Sequence, residues 1–120
     1  MKRQEEQALE TLKGHDLIVA RSRALHRAVA DKLRANPDLL HVVRANLERW
    51  IAEERRQGVV SAALLEWKAR LEEESVEGII RLISTPSEEA DRLRHATPFC
   101  GILTQEERDT IYKQYAAVPA

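Results

Sequence analysis

The chain has 120 residues, 43% of them hydrophobic and 32% charged, and a formal net charge of -1. That length suffices for one buried core and not for two, and the near-neutral balance excludes a uniformly basic nucleic-acid binder. A single cysteine excludes an intramolecular disulfide framework and an all-thiolate zinc site.

Only four glycines and four prolines interrupt a composition dominated by Ala, Leu, Arg and Glu, which favours helix. The expected fold is all-α, a compact bundle of about five to six helices forming one domain over residues 1–120. The start "MKRQEEQALE" lacks an apolar signal core, and no apolar run approaches the roughly 18 residues of a membrane span. A soluble cytoplasmic protein is expected. The charge is uneven: residues 21–56 carry nine basic and five acidic side chains, residues 57–91 three and eight. Two such halves can attract each other within one fold.

In chain order, residues 1–15 read as a frayed entry through Leu9 and Leu12. A first helix is predicted from about Asp16 to Ala35, with Ile18, Leu25, Val29 and Leu33 on its apolar stripe and Arg23, Arg27 and Arg34 on the opposite face. The triplet "NPD" resets the chain: Asn36 can cap, Pro37 suits a first helical position, and Asp38 complements the dipole. A second helix then carries Leu40, Val43, Leu47, Trp50 and Ile51 inward and stops at Gly58. The short junction suggests that the first two helices pack as an antiparallel hairpin.

A third helix starts near Ser61, with Leu64, Trp67 and Leu71 inward. The next apolar set, Val76, Ile79, Ile80 and Ile83, is out of phase, so a break at Ser75 and a short fourth helix to about Ser84 are predicted. Ser87 caps a fifth helix whose first turn holds Glu88 and Glu89, and which ends before Pro98. Thr104 and Glu107 spell a capping box for a sixth helix running through Ile111, Tyr112 and Tyr115. Residues 118–120 read as a tail.

Little in this pattern points to a reaction. His15, His26, His41 and His95 form no metal-ligand spacing, and phosphate-loop and nucleophile-elbow motifs are missing from the sequence. His95 and Cys100 could be drawn as base and nucleophile, but a lone thiol in an apolar run is more often a small buried hydrophobe. Glu72, Glu73 and Glu74 fan around a helix rather than converging. No catalytic residue, cofactor or metal is assigned.

Between the fifth and sixth helices lies "ATPFCGIL", with the only phenylalanine of the chain. A connector this apolar either closes the protein's own core or meets another molecule. Together with its flanks, "SEEADRLRHATPFCGILTQEERDTIYKQY" resembles a group of small helical bacterial proteins that carry R-L-R, then Ser or Thr-Pro-Phe, a small residue, glycine and an aliphatic pair before a capped helix. Cys100 stands where that pattern has alanine. The resemblance implies an antitoxin-like role, in which a helical protein masks the surface of a cognate toxin. The expected function is therefore non-enzymatic protein binding, with Arg92, Arg94, Pro98, Phe99, Gly101, Ile102, Leu103 and Arg108 as partner-contacting residues. A homo-oligomer is compatible with the sequence. The alternative is a nucleic-acid-binding regulator tracking phosphates with Arg23, Arg27 and Arg34, which lie one or two turns apart on one helix face.

Overall fold

The computed structural model describes residues 14–116, among which lie six α-helices and one 3-10 turn. They are α1 (His15–Ala35), the 3-10 turn (Pro37–Leu39), α2 (Leu40–Gln57), α3 (Ala62–Glu73), α4 (Val76–Ser84), α5 (Glu88–Arg94) and α6 (Gln105–Gln114). The expected entry through Leu9 and Leu12 and the tail at 118–120 lie outside the described residues.

Helix starts follow the capping chemistry of the sequence. Ser61, Ser75 and Ser87 each accept a hydrogen bond from the backbone N–H three residues on, at 3.4, 3.0 and 3.1 Å. Each satisfies a donor that the first helical turn leaves unpaired. The box at α6 is reciprocal: Thr104 Oγ1 accepts from Glu107 N–H at 3.1 Å, and Glu107 Oε1 accepts from Thr104 N–H at 2.8 Å. At the other end of α2, Gly58 adopts φ 105°, a left-handed stop that a side chain would strain. Asn36 caps the 3-10 turn rather than α2 itself, accepting from Asp38 N–H at 3.3 Å. Helix α2 therefore begins at Leu40, three residues after the start at Pro37 that the sequence suggested.

Packing follows apolar content. Helix α4 is short, but Ile79, Ile80 and Ile83 are each at most 1% exposed. Helix α1 lays Val29, Ala30 and Leu33 along it and makes its most extensive packing there, while α2 packs chiefly on α3. The packed pair of neighbouring helices is thus α2–α3, and α1 reaches α2 mainly around the turn at Pro37–Leu39. The sequence suggested an α1–α2 hairpin from loop length, which says nothing of which faces are most apolar. Ile18, read as part of the inward stripe of α1, is 46% exposed and lines an open cleft between α1 and α5.

Helix α6 buries no residue completely. It is held to α1 by the half-buried Ile111, by Lys32 Nζ at 2.6 Å from Glu107 Oε1, and by Tyr112, whose ring lies 4.5 Å under the Arg21 guanidinium. No helix of the described residues is long and apolar enough to cross a membrane.

Candidate functional site

The connector between α5 and α6 is turned inward. Pro98 is fully buried, and Phe99, Ile102 and Leu103 are 4%, 5% and 9% exposed. The phenyl ring meets Trp67 edge-on at 5.4 Å between centroids and His26 at 6.1 Å, the geometry that aromatic quadrupoles favour. The sequence-based expectation that Pro98, Phe99, Ile102 and Leu103 form a docking surface is corrected here. These side chains close the protein's own core, because α1, α2 and α3 together leave a slot that the connector fills.

Polar groups fix that slot. Asn46, in the middle of the apolar stripe of α2, donates both amide hydrogens, to the carbonyls of Pro98 at 3.0 Å and Cys100 at 2.8 Å. Its own oxygen accepts from Arg49 at 2.8 Å. His26 is 4% exposed, with Nδ1 2.7 Å from the Ser22 carbonyl and Nε2 2.8 Å from Thr97 Oγ1. A carbonyl can only accept, which assigns the proton to Nδ1 and makes Nε2 an acceptor for the Thr97 hydroxyl. That hydroxyl oxygen in turn accepts from Phe99 N–H at 3.2 Å. Burial pushes the His26 pKa down to about 4, helped by the nearby Arg94 charge and opposed by the Ser22 carbonyl. Trp67, with no exposed surface, donates its indole N–H to the Leu93 carbonyl at 2.8 Å. At Gly101 the chain needs φ 86°, so glycine is required there by backbone geometry.

The arginines of the expected site fare differently from one another. Arg94 is buried and therefore also corrected as a partner contact. Its Nη1 donates to the carbonyls of Ile83 at 3.1 Å and Thr85 at 3.0 Å, closing the C-terminus of α4. Its Nη2 pairs with Asp91, whose carboxylate also accepts two hydrogen bonds from Arg23, at 2.9 and 2.5 Å. Arg23 first and Arg94 second hold the Asp91 carboxyl well below the usual carboxylate range. Arg92 is at the surface but engages Glu66 through both terminal nitrogens, at 2.9 and 3.0 Å. Arg108 is exposed, 6.0 Å from the Tyr112 ring.

Of the three arginines in the nucleic-acid alternative, Arg23 is thus bound to Asp91 and Arg34 to Asp31 at 2.9 Å, while Arg27 is exposed. No hydrogen bond joins His95 to Cys100 among the described residues; the exposed thiol lies 3.9 Å from the Thr97 carbonyl. Among those residues, too, no three His, Cys, Asp or Glu side chains are grouped to hold a metal ion.

What the surface offers instead is a cleft of about 290 Å³ between α2 and α3. Its floor is the edge of the core, Leu47, Ile51 and Leu71, each at most 5% exposed, with Arg44, Glu48, Ala52 and Arg55 on one wall and Lys68 and Glu72 on the other. None of these charged groups forms an ion pair with another described residue, in contrast to Arg23, Arg34, Arg70 and Arg92. Two of the exposed large apolar residues belong to the same helix pair, Val59 in its turn at 79% and Leu65 on α3 at 43% exposed. Sequence reasoning missed this cleft because Leu47, Ile51 and Leu71 read simply as core. It also missed Asn46 and His26 as core-fixing groups. Their signal was present: each polar residue falls on an otherwise apolar helical stripe.

Comparison with protein-family models, with curated proteins and with solved structures finds no match to this chain.

Proposed function

We propose that this chain is a non-enzymatic partner of another protein, of the antitoxin kind, which masks a surface of its cognate protein. The observation that carries this reading is the exposed side of the α2–α3 pair: Val59 in its turn and Leu65 on α3 stand open to solvent, and the same pair carries a cleft whose charged walls form no ion pair with another described residue. Exposed apolar side chains set among charged ones are a usual composition of a protein-binding surface. The antitoxin class rests on the likeness of the segment from Ser87 to Tyr115 to small antitoxin-like proteins. On this reading the contact surface lies on α2, α3 and their turn, where Val59 and Leu65 are exposed, rather than on the connector, whose apolar side chains are already buried.

The test is isolation of the tagged chain from its native host at natural expression level. It should elute well above its own 13.7 kDa, in stoichiometric complex with one defined polypeptide. That polypeptide, expressed alone, should arrest growth, and co-expression of this chain should relieve the arrest. Elution as the free chain, or a companion whose expression is harmless, removes the antitoxin reading.

A further inference from the structure

The last helix is held differently from the others. Helices α1 to α5 each bury several side chains in the core, whereas α6 buries none. Two contacts set its direction: Glu107 Oε1 is 2.6 Å from Lys32 Nζ, and the Tyr112 ring lies 4.5 Å from the Arg21 guanidinium, so α6 runs antiparallel to α1. Arg21, Leu25, Ala28 and Lys32 follow at steps of four, three and four, which places them on one face of α1. Leu25 and Ala28 are half-buried, and a helix clamped at both ends of that stripe lies over them. Ile111, the only aliphatic residue of α6, is half-buried against the same core. Apart from the pair with Lys32, the hydrogen bonds and ion pairs of α6 among the described residues stay within its own turns and cap.

The connector before it is anchored. Asn46 holds the carbonyls of Pro98 and Cys100, and Ile102 and Leu103 are buried. Thr104, exposed and extended at φ -70° and ψ 161°, is all that separates this anchor from the first residue of α6.

We infer that α6 is a hinged strap, which leaves α1 about Thr104 while α1 to α5 and the connector stay folded, and so bares the strip Arg21, Leu25, Ala28 and Lys32. The strength of attachment decides this. A partly exposed ion pair and a cation–π contact at the surface are each weak, and Ile111 is only half covered, whereas opening the rest of the fold exposes Trp67, Ile79, Ile80 and Ile83. Detachment also melts the helix. The 10 residues of α6 are fewer than the ~12–15 that a helix needs to persist alone in water, so an open strap loses its backbone hydrogen bonds. Opening is therefore visible as amide exchange confined to α6. Closed, the strap hides an apolar strip with a cation at each end; open, it presents that strip to solvent. The hinge needs no partner, so it stands or falls apart from the protein-binding reading.

The test is native-state hydrogen exchange of the full-length chain, followed by NMR as urea is raised below the unfolding transition. Amides of residues 109–115 should exchange at least about a hundredfold faster than those of residues 80–83, with almost no dependence on urea, because one lifted helix exposes little surface. Arg21→Ala combined with Lys32→Ala should speed exchange in α6 by about tenfold and leave residues 80–83 within about twofold of the parent. Ile111→Ala, made from the other side of the contact, should do the same. A single rate and urea dependence for both sets of amides would place α6 in the global unfolding unit, and exchange in α6 as fast as in an unstructured chain would mean that it is not seated on α1. Either result overturns the inference. So does an α6 rate that no substitution moves, or one that rises only together with that of residues 80–83.

Discussion

Replacing Phe99 with alanine tests the central packing claim. The ring is 4% exposed and has edge contacts to Trp67 and His26. Truncating a buried phenylalanine costs about 3–5 kcal/mol, the spread reflecting how far the site can collapse. Here collapse is resisted, since Asn46 pins the carbonyls on either side of Phe99 and His26 holds Thr97. A loss of about 4 kcal/mol is expected, a large share of the ~5–15 kcal/mol of a typical domain. For a chain of this length that corresponds to roughly 15 °C in Tm.

Phe99→Leu is the control. It keeps most of the apolar volume and forfeits the two edge contacts, so its loss should be about 1–2 kcal/mol. Urea denaturation followed by far-UV circular dichroism measures both, and Trp67 fluorescence reports whether the slot has opened. A Phe99→Ala cost below about 1 kcal/mol, the range of exposed sites, would refute a sealed ring.

Asn46→Asp should be worse than Asn46→Ala, because a carboxylate would face the Pro98 and Cys100 carbonyls; losses of about 3 and 2 kcal/mol are expected from denaturation midpoints. Stability should also fall on acidification. With a folded pKa of about 4 against 6.5 unfolded, neutral His26 stabilises the fold fully above pH 6.5; below that the unfolded chain binds the proton first, and about 3 kcal/mol is lost by pH 4. A His26→Gln variant should lose that part of the slope between pH 6.5 and 4; an unchanged slope would show that another group titrates. Arg94→Met should lower the unfolding free energy by about 3 kcal/mol, since it uncaps α4 and strips one partner from Asp91; a thermal melt within 2–3 °C of the parent would contradict the network. Cys100, exposed beside a buried neighbour, should react with Ellman's reagent in the native protein at the rate of an unhindered thiol, and Cys100→Ser should shift stability by less than about 0.5 kcal/mol. Slow, unfolding-limited labelling would place the thiol in the core.

By itself the sequence determined the helices and their ends. Capping serines, the Thr104–Glu107 box and Gly58 act through backbone groups within a few residues, so their effect is local and legible. Apolar periodicity likewise marked Val43, Leu47, Leu64, Trp67 and Leu71 as core. Tertiary structure alone decided which helix each stripe would meet, and it gave α1 to α4 because that is where the most apolar area could be covered. It also decided the connector, since apolar side chains before Gly101 satisfy the same burial rule whether the slot lies within the chain or on another molecule. The residues that settle the matter, Asn46, His26 and Trp67, lie 26 to 71 positions away from their partners. Only folding brings such groups within hydrogen-bonding distance, which is also why the charges along α2 and α3 that lack ion-pair partners among the described residues became visible only once other arginines had found their carboxylates.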